Sequence, residues 1–231
     1  MLYREQIKAL SKISKAITSE LYLDDILKLI VTVTAQVMNS NICSLMLMDS
    51  KTNELLIRAT QSISDEYINK CPLKPGEGIA GKVAKYNKPM IIKDVTKDKE
   101  YKYKEIAKKE RLCSLLCLPL AVKGKVIGVL NCYTSKPHDF TETEVNLLTS
   151  IANQAAVAIE NTELMVKSRV IQEELEARKK LERAKGILMK QENLTEEEAY
   201  MRIQKYSMEH RKSMREIAEA IIVTAEIKKT K

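Results

Sequence analysis

A chain of 231 residues has room for one large domain or two small ones. Its net charge of +8 and pI near 9.1 favour a polyanionic partner, and the excess is even, +4 in residues 1–166 and +4 in residues 167–231. Five cysteines, an odd number without dense spacing, argue against a disulfide framework and for a reducing compartment. The opening MLYREQIKALSKISKAI has no signal-peptide apolar core, and the longest apolar run, Leu115 to Val122, is too short to span a bilayer. A soluble cytoplasmic protein is expected.

Two amphipathic helices come first. Ile7, Leu10, Ile13, Ala16 and Ile17 form one stripe; Ile26, Leu27, Ile30, Val33 and Val37 form the next, with Asp24 as its expected cap. Strands follow at Ile42–Met48 and Leu55–Ala59, separated by a turn over residues 49–53. Gly76, Gly78 and Gly81 satisfy G-x-G-x-x-G, but Pro72 and Pro75 stand where a dinucleotide fold needs a buried strand. A turn into a short helix from Ala80 to Tyr86 is the better reading. Pro89–Val95 reads as a strand, followed by a Tyr- and Lys-rich loop or helix to Arg111. Leu112–Val122 and Val126–Tyr133 form a hairpin around Lys123-Gly124-Lys125. Thr141 and Glu144 make a capping box, and the helix it opens has no Gly or Pro until Gly186. Its apolar stripe is Leu148, Ile151, Ala152, Ala155, Ile159, Thr162 and Val166.

These residues resemble the GAF domain family. The similarity lies in Pro75-Gly76-Glu77-Gly78-Ile79-Ala80-Gly81, Lys88-Pro89 to Asp94-Val95, Leu118-Pro119-Leu120, Ile127-Gly128-Val129-Leu130 and the run from Phe140-Thr141-Glu142 to Glu160-Asn161. The resemblance implies an antiparallel sheet flanked by helices over residues 5–165. Its ligand is unknown, since GAF domains take cyclic nucleotides, tetrapyrroles, haem, metal centres, small metabolites or nothing known.

Between residues 167 and 180 charge dominates and only Val170, Ile171, Leu175 and Ala177 are apolar, so a helical connector over 166–180 is expected. Three further helices are marked by their caps. The first carries Leu181, Ala184, Ile187 and Leu188. The second opens on the capping box Thr195/Glu198 with Leu194 and Ala199 as its staple, and bears Tyr200, Ile203 and Tyr206. The third opens on Ser213/Glu216 and shows Ile217, Ala218, Ile221, Ile222 and Ala225. Ala184-Lys185-Gly186-Ile187-Leu188-Met189, Thr195 to Tyr200, Tyr206-Ser207-Met208 and Arg215-Glu216-Ile217-Ala218 are similar to the ANTAR domain, a three-helix module of bacterial transcription antiterminators. The resemblance spans residues 168–228, with the first helix continuous with the connector. It implies binding to paired hairpins in nascent messenger RNA, which keeps a terminator from forming.

The expected RNA-contacting set is Lys185, Lys190, Arg202, Lys205, Arg211, Lys212 and Arg215, since Lys and Arg supply phosphate contacts. Exposed Tyr adds stacking on unpaired bases. Residues 181–215 carry a net charge of only +2, which equally suits a solvated bundle surface. In the first domain Tyr101, Tyr103 and Asn131 are candidate pocket residues. With a hairpin loop of two or four residues, Leu115 faces Cys132, and Cys113, Cys117 and Cys132 share one strand face. Cys113 and Cys117 then lie roughly 13 Å apart and Cys132 about 7–8 Å from each, too far for a relaxed disulfide. A thiol-rich pocket wall or buried cysteines acting as small hydrophobes both fit. His138 and His210 fall in different domains; neither a nucleophile pair nor a metal-ligating set can be placed, and no enzyme is expected. The apolar residues Ala156, Val157 and Ala158 extend the long helix's stripe around its circumference, so a homodimer is expected. The reading is thus an α+β sensor domain, a long connecting helix and an all-α three-helix RNA-binding bundle. Its rival is a dimerisation or protein-interaction module that binds no RNA.

Overall fold

The computed structural model describes residues 11, 23–38, 42–62 and 64–229, and the chain divides into two compact units, residues 1–164 and 165–231. The stripe Ile7–Ile17 lies outside the described residues.

In the first unit a helix α1 (Leu23–Met38) precedes strands β1 (Ile42–Met48) and β2 (Leu55–Thr60). A single turn α2 (Asp65–Ile68), the helix α3 (Gly78–Tyr86), strand β3 (Met90–Ile92) and helix α4 (Lys104–Lys109) follow. Strands β4 (Leu115–Val122) and β5 (Lys125–Tyr133) complete a five-stranded, wholly antiparallel sheet in the order β2-β1-β5-β4-β3. The helix α5 (Glu142–Glu192) starts in this unit and ends in the other. Asp24 sits within the first turn of α1, not before it, and its carboxylate lies 3.9 Å from Arg58. Pro89–Val95 shortens to the three residues of β3, because beyond Ile92 only Val95 rejoins the sheet edge, through Cys113.

Both faces of the sheet are covered. Leu45, Leu116, Leu118, Leu130 and Cys132 pack with α1 and with Leu148, Ile151, Ala155 and Ile159 of α5. Met46, Leu115, Cys117, Val129 and Tyr133 pack against α3 and the loops around it. Burial on two sides is why β1 and β4 read as continuous apolar runs without alternation. On α5, Ala156 and Ala158 are already buried in this unit, and of the expected outer face only Val157 is exposed. The free face is therefore narrower than the sequence suggests.

The hairpin turn is tight: Val122 pairs with Lys125, and Lys123 and Gly124 have φ of 49° and 82°. A bulge between Leu120 and Ala121 then shifts the register by one, so that Leu116, not Leu115, faces Cys132. The glycine-rich segment packs backbone on backbone. A Cβ on Gly81 would stand 2.3 Å from the Lys74 carbonyl oxygen, and only the isolated bridge Leu55–Leu73 precedes the glycines. They serve close approach, as expected for a turn into a helix.

The second unit holds the rest of α5 with α6 (Glu196–His210) and α7 (Met214–Lys229) around Ala184, Leu188, Ala199, Ile203, Ala218 and Ile222. All three capping boxes form. Thr195, Ser213 and Thr141 each accept from the backbone N–H three residues on, and each backbone N–H donates back to the glutamate there at 2.7–2.8 Å. Asn193 and Arg211 take left-handed φ of 54° and 51° between the helices. Among the described residues no helix is long and apolar enough to cross a membrane.

Candidate functional site

On the α3 side of the sheet, the first unit contains a narrow cavity of about 300 Å³, mouth included. Tyr101, Tyr103 and Asn131 line it, together with Lys70, Met46, Leu115, Tyr133 and the first residues of α3. The aromatic groups form a connected set. Tyr67 and Tyr101 meet Tyr133 edge-on with centroids 6.3 and 6.4 Å apart, and Tyr101 meets Tyr103 at 6.2 Å. The Tyr67 hydroxyl donates to Ser44 at 2.9 Å, Asn131 donates to the same Ser44 at 3.4 Å, and Tyr101 bonds Tyr133 at 3.2 Å. Tyr103 donates to the Cys71 carbonyl. Burial pushes the Tyr101 phenol up to about 12 and the Tyr67, Tyr103 and Tyr133 phenols higher still.

The group that sequence reasoning missed is Lys70. Its side chain is half-buried but its ammonium end lies inside, 4.3 Å from the Tyr67 ring centroid and 4.9 Å from that of Tyr103. Burial pushes its pKa from 10.5 down to about 7, and among the described residues no carboxylate stands beside it to reverse that. A lysine between two tyrosines far apart in sequence has no periodic signature; only its neighbours in space mark it.

The cysteines do not form one wall. The bulge turns Cys132 to the α1 side, where its sulfur is 3.6 Å from that of Cys43, its direct partner on β1. The contact with Cys43 and burial hold the Cys132 thiol well above its usual range. Cys117, paired with Asn131, is buried on the opposite face beside the tyrosines, and burial raises its thiol too. Cys113 precedes β4, half-buried, with only a 3.9 Å contact from its sulfur to the Lys93 carbonyl. Fully buried, high-pKa thiols are poor nucleophiles. Among the described residues no three His, Cys, Asp or Glu side chains converge as metal ligands.

In the second unit the seven cations differ sharply. Lys185 is 7% exposed and bonds Glu182 at 2.8 Å and Glu196 at 2.7 Å, tying α5 to the start of α6. It is spent within the bundle. Arg202 meets Glu192, Lys205 lies 3.8 Å from Glu209 and Arg215 lies 3.2 Å from Glu219, all at the surface. Lys190, Arg211 and Lys212 are exposed and have no ion-pair partner among the described residues. In the last turn of α6, just before Arg211, Tyr206, 49% exposed, stacks on His210 with centroids 5.5 Å apart and planes 10° apart. His210 Nδ1 is 3.0 Å from the Tyr206 carbonyl, which fixes the ring.

Residues 20–160 match the sequence model of the GAF domain, and residues 169–222 match that of the ANTAR domain. The chain is 26% identical over 155 residues to the phosphoenolpyruvate-dependent phosphotransferase system protein of Escherichia coli, covering 67% of this chain and 21% of that protein. It is 24% identical over 195 residues to the Nif-specific regulatory protein of Herbaspirillum seropedicae, covering 79% and 36%. It thus spans a minor part of the length of these relatives. The GAF domain of an Acinetobacter phosphoenolpyruvate-protein phosphotransferase superposes with a TM-score of 0.60 at 26% identity, covering 69% of this chain and 95% of that one. Free methionine-R-sulfoxide reductase from Neisseria meningitidis, with a TM-score of 0.59, 19% identity and coverage of 69% and 91%, shares the fold alone.

Proposed function

The chain belongs to the GAF domain family and carries a C-terminal ANTAR domain, and from that premise we propose that it binds paired hairpins in nascent messenger RNA and promotes antitermination in response to a signal sensed by its first unit. GAF domains are sensors and ANTAR domains bind RNA in antitermination; neither is a catalytic module. The observation that carries the reading is the exposed group at the α6–α7 junction. Arg211 and Lys212 are exposed there, without an ion-pair partner among the described residues, directly after the flat Tyr206–His210 stack. Charge for phosphates with an aromatic surface for unpaired bases is what a hairpin loop asks of a protein. Lys190, Arg202, Lys205 and Arg215 complete the proposed contact set, from which the buried Lys185 is dropped.

The cytoplasm is the compartment where such a partner is found, and a homodimer is the proposed assembly. Val157, Leu164 and Ile171 recur every seven residues on α5 and are exposed, as are Val170 and Leu175. A helix surface of this kind suits pairing with a second copy. The signal is proposed to pass along α5, whose stretch over residues 166–180 holds no Gly or Pro, by a change in that pairing between states that the ligand binds unequally.

Fluorescence anisotropy with a two-hairpin RNA and a scrambled RNA of equal length tests the proposal. Preference for the hairpins, weakening steeply with salt, is expected. Equal binding to both RNAs, or none, overturns it in favour of a protein-interaction module. Inserting two residues after Glu176 turns the helix by about 200°, while seven roughly restores phase. Signal response is expected to survive only the second insertion.

A further inference from the structure

We propose that the tyrosine-lined cavity of the first unit binds a short carboxylate, its head held by the Lys70 ammonium and the N-terminal end of α3. This rests on the reading of that unit as a ligand sensor and names the ligand's chemistry.

Two observations converge on a small anion. The first is the Lys70 ammonium itself, flanked by two aromatic rings and without a carboxylate partner among the described residues. Ring faces compensate part of the lost hydration of a cation, but a buried charge ordinarily has an opposite charge beside it. The second is the start of α3. Gly78, Ile79 and Ala80 line the cavity, Glu77 at the cap position gives no side-chain bond to the helix, and the backbone N–H groups of Gly78, Ile79 and Ala80 have no acceptor among the described residues. Such N–H groups favour a negative ligand. The space between the walls is on the order of a single water molecule, so a short acid enters only as the walls move apart, and a nucleotide or tetrapyrrole would need a far larger opening. Aliphatic substance for the acid's tail is present in Met46, Leu73 and Leu115.

Other charges do not compete. Glu77 at the rim is neutralised by Lys102, whose ammonium bonds its carboxylate. The groups facing Lys70 from the surrounding elements are Tyr67, Tyr101, Tyr103, Tyr133 and Cys117, all pushed upward by burial, so Lys70 is the one that titrates near neutrality. An anion restores the charged form of Lys70, and binding therefore takes up a proton above pH 7. The affinity should fall by on the order of tenfold per pH unit there.

The test is calorimetry and thermal shift of the full chain with sodium acetate, propionate and butyrate, against propionamide and sodium chloride at matched ionic strength. A carboxylate is expected to raise Tm where the amide and chloride do not, with proton uptake at pH 8 measured in two buffers of different ionisation enthalpy. Lys70→Met should abolish the response and Lys70→Arg retain part of it; each variant's fold is verified by circular dichroism. Equal response to propionamide, an undiminished response in folded Lys70→Met, or no response to any of the acids overturns the proposal. The sensor reading is separated by native mass spectrometry. A neutral molecule copurifying with the first unit would leave a sensor standing while overturning the carboxylate.

Discussion

The two units carry equal shares of excess positive charge and place it in opposite ways. In the first, one ammonium is drawn inside, between Tyr67 and Tyr103, behind a sheet buried on both faces. In the second, six of the seven candidate cations stay at the surface of a bundle whose buried core is six residues, and the seventh, Lys185, is buried only because Glu182 and Glu196 meet it. A charge kept inside without a partner selects a small ligand by desolvation and fit. Charges spread outside with water at hand select a polyanion by number and spacing. The net charge of a domain therefore says little about its partner until the location of the charge is known.

The contrast in core size is the first thing to break. Ile203→Ala truncates one member of the bundle's small core cluster at a cost of about 2–5 kcal/mol and should unfold the second unit, seen as a lost cooperative transition and lost RNA binding. Leu118→Ala carries a similar local cost in the larger first core and should leave that unit folded. If both variants melt alike, the contrast is wrong.

Lys70→Met probes the buried charge and should stabilise the ligand-free protein, by on the order of 1–3 kcal/mol at neutral pH. Folded, Lys70 releases its proton near 7; unfolded, it holds it to 10.5. Between these values the unfolded chain binds the extra proton, so the native protein gains stability as pH rises. The variant's advantage is thus largest below pH 7 and shrinks toward pH 10. A pH-independent difference in Tm would show that Lys70 keeps its charge.

Smaller effects sharpen the other side. Tyr206→Ala should weaken hairpin binding by about 1–3 kcal/mol without changing the salt slope, since it removes stacking and no charge. Thr195→Ala, which takes away the α6 capping box, should cost about 1 kcal/mol of bundle stability and leave RNA contacts intact.

Most of the fold was legible because it rests on short-range chemistry. The three capping boxes, the apolar stripe of α1 and the two-residue hairpin turn are each written within a few residues of one another. The bulge at Leu120/Ala121 was not, and its one-residue slip turned Cys132 away from Cys117 and toward Cys43. The pocket was half legible. Tyr101, Tyr103 and Asn131 do line one cavity, but Lys70 is placed there by a loop packing across the sheet, and no local pattern encodes that. Likewise Lys185 sits within a motif and looks available until the acids of two helices are brought to it.

The most direct test of the account is the salt dependence of hairpin RNA binding by the native chain and by the triple variant Lys190→Ala/Arg211→Ala/Lys212→Ala. All three side chains are exposed and outside the core, so the fold should persist. The account predicts that the slope of log affinity against log salt falls by about 2–3 units, roughly 0.7–0.9 for each lost phosphate contact. An unchanged slope with unchanged affinity would contradict it, placing the RNA elsewhere or removing it from this protein's function.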